Sequence, residues 1–314
     1  MDQENRSEST KRINGTGSDP IIRQLVRWAE RRASVRAVLL TSTRTHPGVT
    51  VDLFSDYDVI LVVTDIRPFF EDRAWLGDFG EVLVVYRDPI KIEYGGPRFA
   101  YITQYEQGTK IDFTLWSVDI PPQIAREPEL PDELDVGYLV LLDKEGLCDG
   151  FKPPTFTAYI PSPPTEASYH NLIEEFFHEA TYVAKHLWRG DLMAAKYNLD
   201  QMMKLDNLRV MLEWLIETEH NWSLKPGACG KGLQKHLPPE LGRELEATYV
   251  GPGTRENWDA LFRTIALFRR VAIQVGDCLG HAYLDDLDRR VVAYLHKVEN
   301  LDPEAESLWG PLRE

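Results

Sequence analysis

Apolar positions recur at two different spacings in the two halves of the chain. A helical spacing in residues 21–32 predicts an amphipathic helix whose apolar face carries Ile21, Leu25, Trp28 and Ala29. Short apolar runs rich in β-branched residues then predict strands of a sheet. These runs lie at 35–40, 59–63, 81–86, 99–105 and 110–116. A further run at 138–142 would close this sheet or lie beside it.

The pattern changes after a proline-rich stretch at 152–164, which cannot form the interior of a helix. Beyond it, long stretches with helical spacing predict a bundle. They lie at 165–188, 191–221, 240–249, 255–279 and 284–298. We therefore predict an α+β protein with a sheet-containing domain at 19–150 and an all-α domain at 165–300. The polar, Gly- and Ser-rich residues 1–18 are predicted to form a mobile tail.

Composition narrows the classes of partner. The 314 residues carry a formal net charge of -15, which argues against a nucleic-acid binder, because phosphate contacts need clustered Lys and Arg. A negative cleft instead suits a cationic substrate. The N-terminus lacks the apolar core of a signal peptide, and no apolar run approaches the ~20 residues that cross a bilayer. Three widely spaced cysteines indicate neither a disulfide framework nor a zinc site. We expect a cytoplasmic protein that binds no membrane.

Three aspartates carry the candidate chemistry. Asp56 and Asp58 open the strand at 59–63, and residues i and i+2 of an extended chain point to the same side. Two carboxylates on one face suit Mg²⁺, particularly where substrate phosphates complete its coordination. Asp112 stands in a later strand between Ile111 and Phe113, where a metal partner would offset the cost of burial. Each feature alone is also typical of a turn, a cap or a solvent-facing strand position.

The combination resembles the aminoglycoside 6-adenylyltransferases (streptomycin adenylyltransferases), within the DNA polymerase beta-like nucleotidyltransferase superfamily. The resemblance rests first on LLTSTRTHPGVTVDLFSDYDVILVVTDIRPF at 39–69 and KIDFTL at 110–115. It continues in the helical half and runs to about residue 298. The segments there are EFFHEATYVAKHLWRGDLMAAKYNLD at 175–200, LRVMLEW at 208–214, GKGLQKHLP at 230–238 and ATYVGPGTRENWDALFRTIALFRRVA at 247–272.

The resemblance implies a mixed-sheet nucleotidyltransferase domain followed by a helical substrate-binding domain. It also implies AMP transfer from ATP to a hydroxyl of a streptomycin-like aminoglycoside, with release of pyrophosphate and resistance to the antibiotic. Asp56 and Asp58 match the carboxylates that hold Mg²⁺ on the triphosphate. Asp112 matches the third catalytic carboxylate, which ligates a metal and helps deprotonate the acceptor hydroxyl. The alternatives are another small-molecule or protein acceptor, or a catalytically weakened nucleotide-binding member.

The nucleotide segment departs from the family pattern at one position. The family has Gly-Ser before an arginine, whereas this chain has Ser42, Thr43 and Arg44. Glycine lets the backbone approach phosphates closely, so Ser42 puts this contact in question. Arg44 is a phosphate candidate that could instead brace Asp52 or Asp56. Lys231, between two glycines, matches a family lysine and could pair with the triphosphate or simply be solvated.

The helix at 165–188 contains the candidate acceptor residues Glu175, Phe176 and Glu179. Carboxylates and aromatic faces suit a guanidinium-bearing aminocyclitol. Glu175 and Phe176 match the family's Asn-Glu-Phe-Trp, whereas Glu174 and Phe177 depart from it. Core packing of Phe176 and ordinary solvation of the glutamates are the competing interpretations. The predicted partners are ATP and an aminoglycoside or another cationic small molecule, bound by a monomer or dimer.

Overall fold

The computed structural model describes residues 19–224, 227–302, 304, 305 and 307. The predicted tail at 1–18 lies outside the described residues. The chain divides into two compact units, Met1–Ala158 and Tyr159–Glu314. No helix among the described residues is long and apolar enough to cross a membrane.

The first unit is built on a seven-stranded mixed sheet. Its strands are β1 (Val35–Thr41), β2 (Tyr57–Val63), β3 (Val82–Arg87), β4 (Lys91–Glu93), β5 (Gly96–Tyr105), β6 (Lys110–Ser117) and β7 (Tyr138–Asp143). Its helices are α1 (Pro20–Glu30), α2 (Arg67–Glu71), α3 (Ile120–Ile124) and α4 (Asp132–Asp135). Two 3₁₀ turns, Ser42–Arg44 and Ala74–Phe79, are the remaining helical elements among the residues of this unit that the structure describes. The predicted sixth run, β7, pairs with β1 and so belongs to the sheet.

The strand order is β3-β5-β6-β2-β1-β7, and β4 extends the same edge as β3 by pairing with β5. Among the described residues of this sheet, β2 and β6 pair in parallel, and all the other strand pairs are antiparallel. β2 is therefore a central strand with neighbours on both sides. This position explains why its residues from Val59 to Val63 are apolar without a gap, since both faces of a central strand are covered.

Helix α1 begins at an N-cap that the sequence encodes directly. The Asp19 carboxylate accepts hydrogen bonds from the amides of Ile21 and Ile22, and Pro20 occupies the first turn, where no amide is needed. The buried face of α1 consists of Ile22, Leu25, Trp28 and Ala29. Ile22 is buried in the core beneath the sheet, which it shares with alternate residues of β2, and the partly buried Ile21 packs against the same core.

The opposite face of the sheet is covered along only part of its area. Helix α3 packs there against Ile60, Val62 and Trp116 through Ile120 and Ile124. Toward the start of β6 this cover ends: Ile111, Phe113 and Leu115 are buried on the core side, while Lys110, Asp112 and Thr114 are partly exposed on the other. The face that carries Asp112 is therefore accessible.

The second unit is entirely helical among its described residues. Its helices are α5 (Glu166–Arg189), α6 (Leu192–Lys196), α7 (Arg209–Glu219), α8 (Leu233–His236), α9 (Pro239–Glu246), α10 (Thr254–Leu279) and α11 (Asp285–Glu299), with a short turn at Ala228–Gly230. Residues Tyr197–Leu208, between α6 and α7, form a π-helix. The single helix predicted at 191–221 is thus a continuous helical segment, in which the π-helix lies between α6 and α7. A core from α5, α7 and α10 holds the unit together.

Candidate active site

The three aspartates lie together at one end of β2 and β6. Parallel pairing places Asp58 directly opposite Asp112, and Asp56 immediately precedes β2. Directly paired residues in a sheet project to the same face, and neighbouring strands lie about 4.8 Å apart. The backbone pairing therefore gathers the carboxylates on the accessible face of the sheet.

Lys110 joins two of these carboxylates. Its ammonium donates to Asp56 Oδ2 at 2.7 Å and to Asp112 Oδ2 at 2.8 Å. Lys110 was not among the site residues predicted from the sequence. A signal was present, because Lys110 precedes Asp112 by two residues in a strand and must share its face. One positive charge thus lies among three negative ones.

The charge balance of the cluster remains negative. Burial, followed by the charges of Asp112 and Asp56, raises the pKa of Asp58 to about 6, although Lys110 and a hydrogen bond from Ser42 oppose the shift. Burial also raises the pKa of Asp112, against the hydrogen bond from Lys110. Asp112 Oδ1 is buried and has no hydrogen-bond partner in the described structure. These carboxylates would be stabilised by further positive charge.

Ser42 begins the 3₁₀ turn after β1 with a left-handed backbone. Its φ of 65° is a conformation that glycine adopts without strain and that costs other residues roughly 1–2 kcal/mol. The Ser42 amide donates to the Gly137 carbonyl at 3.0 Å, and the Thr45 and His46 amides return to the Ser42 carbonyl. The turn is therefore held in place despite the side chain. Thr43, next along, is partly exposed.

Arg44 braces the segment that carries Asp56. Its Nε donates to the Asp56 carbonyl at 2.9 Å and its Nη2 to the Ser55 carbonyl at 2.8 Å. The guanidinium also lies 3.5 Å from the centre of the Tyr57 ring, and the Tyr57 hydroxyl donates to Asp19. With its side chain 14% exposed, Arg44 has little surface left for a phosphate. These contacts match the bracing interpretation of this residue.

A divalent cation is a chemical fit for the cluster, although the side chains are not yet arranged around one. Within the ranges that the structure describes, no three His, Cys, Asp or Glu side chains are placed so that they could hold a metal ion. The Lys110 ammonium occupies the space between Asp56 and Asp112. Two features nevertheless favour cation binding here. Asp112 Oδ1 has no hydrogen-bond partner in the described structure, and the pKa of Asp58 is raised, so both carboxylates would gain from a divalent cation that prefers oxygen ligands.

The candidate acceptor residues of α5 lie in different environments. Glu175 is exposed on the helix surface. Phe176 is fully buried, and its ring stacks on Phe268 with centroids 3.7 Å apart. Glu179 is largely buried and accepts a hydrogen bond from Asn198 at 2.6 Å. Phe176 therefore has the packing role that was the competing interpretation, and its ring offers no free face.

Lys231 is exposed in a turn that two glycines shape. Gly230 and Gly232 have φ values of 78° and 83°, which let the chain fold back on itself. Lys231 lines a cavity of about 70 Å³ with Glu213 and Glu217 among its neighbours. Burial raises the pKa of the Glu217 carboxyl group. The position leaves the ammonium of Lys231 accessible to an anion.

Comparison with known proteins identifies the family. A family model described as streptomycin adenylyltransferase matches residues 18–298, which include most of both units. The chain belongs to the streptomycin adenylyltransferase family. All the site residues predicted above lie within this match, with the aspartates and residues 42–44 in the first unit and Glu175, Phe176, Glu179 and Lys231 in the second.

Relatives of this streptomycin adenylyltransferase family member align over most of their length. An aminoglycoside 6-adenylyltransferase of Bacillus subtilis (strain 168) is 32% identical over 265 residues, or 83% of this chain and 90% of the relative. One from Campylobacter jejuni is 28% identical and covers 82% and 88%. The crystal structure of an aminoglycoside 6-adenyltransferase from Bacillus subtilis shares 28% identity and covers 88% of this chain and 97% of that chain, with a TM-score of 0.45.

Proposed function

We propose that the protein transfers AMP from ATP to a hydroxyl of a streptomycin-like aminoglycoside, which would confer resistance to the antibiotic. The observation that carries the proposal is the cluster of Asp56, Asp58 and Asp112 on one accessible sheet face. It occurs in a chain of the streptomycin adenylyltransferase family. The net charge of -15 suits a cationic acceptor.

In the proposed reaction the acceptor oxygen attacks the α-phosphorus of ATP. A new P–O bond forms, the bond to the bridging oxygen breaks, and pyrophosphate leaves with its electron pair. Asp112 takes the proton of the attacking hydroxyl. Its Oδ1 atom makes no hydrogen bond within the described structure, and burial raises the pKa of the carboxyl group, so the carboxylate is a stronger base than that of a solvent-exposed aspartate.

We further propose that Asp56, Asp58 and Asp112 hold Mg²⁺ with the triphosphate. A bound divalent cation would supply the charge that stabilises the attacking and leaving oxygens. On metal binding, Lys110 would lose its hydrogen bond to either Asp56 or Asp112. It would keep the other bond and still offset one negative charge of the cluster. Ser42 and Thr43 would contact phosphate oxygens through their hydroxyls and backbone, while Arg44 holds the Asp56 backbone in position.

In the second unit Lys231 stays a prediction as a phosphate ligand, supported by its exposure between two glycines. Glu175 and Glu179 stay predictions as carboxylates for the cationic acceptor. Phe176 would contribute indirectly, because its packing on Phe268 fixes the helix that carries Glu175.

The test is an assay of purified protein with ATP, Mg²⁺ and streptomycin. We expect pyrophosphate release and an acceptor heavier by one adenylyl group in mass spectrometry. Asp58→Asn and Asp112→Asn should each abolish turnover while the protein stays folded. Absence of turnover across a panel of aminoglycosides would eliminate this acceptor class. Modification of a different small molecule or of a protein would support the alternative acceptors.

A catalytically weakened nucleotide-binding protein is the second candidate, and Ser42 is the observation that favours it. The side chain at a φ of 65° stands where the backbone would approach a phosphate. If this candidate holds, Ser42→Gly should raise the turnover number or the affinity for ATP. Unchanged or lower activity in Ser42→Gly would argue that the chain has adapted to the serine.

A further inference from the structure

A row of paired residues runs from the catalytic aspartates to the edge of the sheet. Asp58 pairs with Asp112, Asp112 with Ile102 on β5, and Ile102 with Tyr86 on β3. Paired residues of neighbouring strands project to the same face. Tyr86 and Ile102 therefore lie on the same face of the sheet as the carboxylates, and Tyr86 is about 10 Å from Asp112 across two strand spacings.

The outer part of this face is apolar, aromatic and open. Tyr86 is 61% exposed and Val84, on the same side of β3, is 60% exposed. Ile102 is partly exposed, while Tyr101 and Thr103 on either side of it are buried against the opposite face. An exposed aromatic and aliphatic surface next to a catalytic cluster is unusual for a soluble domain and typical of a ligand-contacting surface.

One carboxylate borders this surface. Asp88 follows Tyr86 by two residues, and its amide donates to the Ala100 carbonyl at 2.9 Å, which continues the pairing of β3 with β5. The alternation of the strand places Asp88 on the face of Tyr86 and Asp112. Its side chain is partly exposed, and no ion pair with it occurs within the described residues. The surface thus combines an aromatic ring with a negative charge.

We propose that Tyr86, Asp88 and Ile102 form the acceptor shelf, a surface that binds one ring of the cationic aminoglycoside beside Asp112. The proposal rests on the proposed function. Thr41 on β1 pairs with Asp58, so the nucleotide segment that begins at Ser42 lies on the β1 side of the cluster, and the β5 side is left for the acceptor to approach Asp112. An aromatic face attracts amino or guanidinium groups and covers C–H surfaces, and a carboxylate adds charge complementarity.

Steady-state kinetics with streptomycin and ATP test the shelf. Tyr86→Ala should raise KM for streptomycin about tenfold, because the cation–π and packing contacts of the ring with the acceptor are lost. KM for ATP should stay the same, and Tyr86→Phe should recover most of the loss. Asp88→Asn should raise KM for streptomycin severalfold, with an effect that shrinks at high salt.

Ile92→Ala is the matched control, since Ile92 is 72% exposed on the same edge but pairs with Pro97 at the far end of β5. Its kinetic constants should equal those of the wild type. A wild-type enzyme that turns over while Tyr86→Ala keeps its KM for streptomycin would overturn the shelf alone. A rise in KM for ATP instead would assign this surface to the nucleotide. A wild-type protein inactive on every aminoglycoside would overturn the proposed function and the shelf together.

Discussion

Single residues set the charge of the carboxylate site, and Lys110 is the one that contacts two aspartates at once. In Lys110→Met the carboxylates of Asp56 and Asp112 lose their shared cation. We expect metal-free protein to lose about 1 kcal/mol of unfolding free energy at pH 7.5, a modest figure because both partners are partly solvated. Urea denaturation in the presence of a chelator measures this, with Lys91→Met on β4 as the exposed control.

The loss in Lys110→Met should shrink on addition of Mg²⁺ if the cluster holds a cation, since the metal then replaces the missing charge. An identical urea midpoint for Lys110→Met and wild type without metal would show that Lys110 does not balance the site.

Asp58 should make stability depend on pH in a defined direction. Its pKa is about 6 in the folded protein against the ordinary 3.8, so folding favours the protonated form. The stabilisation from this proton is present below pH 3.8 and is lost as the pH rises through about 6. Metal-free Asp58→Asn should therefore gain stability relative to the wild type between pH 4 and pH 7, by up to about 3 kcal/mol.

Urea denaturation of both proteins at a series of pH values measures that difference. Glu129→Gln, at an exposed position of the same unit, provides a control for the loss of one negative charge. A difference between Asp58→Asn and wild type that stays constant with pH would contradict the raised pKa.

At the scale of whole elements, the π-helix Tyr197–Leu208 is built around a buried cation. Lys204 is 1% exposed, and its ammonium donates to Asp200 Oδ1 at 2.7 Å and to the Thr248 carbonyl at 2.6 Å. Lys204→Met takes this donor from the buried Thr248 carbonyl and leaves Asp200 with Lys196 as its remaining cation. We expect it to lower the free energy of unfolding by about 3 kcal/mol.

Lys196 provides a matched comparison because it contacts the same Asp200 at 2.7 Å from a more exposed position. Lys196→Met should cost about 1 kcal/mol or less in the same denaturation experiment. Equal losses for the two variants would mean that burial of Lys204 does not determine the strength of its contacts.

Elements with strong periodic patterns could be predicted from the sequence, whereas details that depend on tertiary pairing could not. β2 and β6 were predictable because β-branched and alternating residues fit few other structures. The π-helix was not, since a wider turn alters backbone hydrogen bonds without a change in apolar composition.

In the candidate site, the shared face of Asp56 and Asp58 followed from strand alternation. The bridge from Lys110 required knowledge that β6 lies beside β2, which is a long-range pairing. The burial of Phe176 likewise depends on Phe268, a residue far along the chain. Local spacing could place Phe176 on a helix face but could not say which face the core would use.

At the scale of the whole molecule, each compact unit contains its own hydrophobic core. The residues of the helical core all lie between Tyr169 and Val298, and those of the two sheet cores between Ile22 and Cys148. A fragment of residues 159–302 should therefore fold by itself. We expect a helical circular dichroism spectrum and a cooperative urea transition, and a gradual transition would show that its core is incomplete.

The register of β2 with β6 decides which kinds of sequence change this fold can absorb. The spacing of Asp58 from Asp112 is fixed by main-chain hydrogen bonds, which every amino acid except proline can make as both donor and acceptor. Core substitutions can thus alter stability while the charge spacing persists. Loss of one residue within β6 would instead turn Asp112 inward and Phe113 outward. Divergence in this lineage should accordingly appear as substitutions along the outer strands, with the length of Lys110–Ser117 held constant.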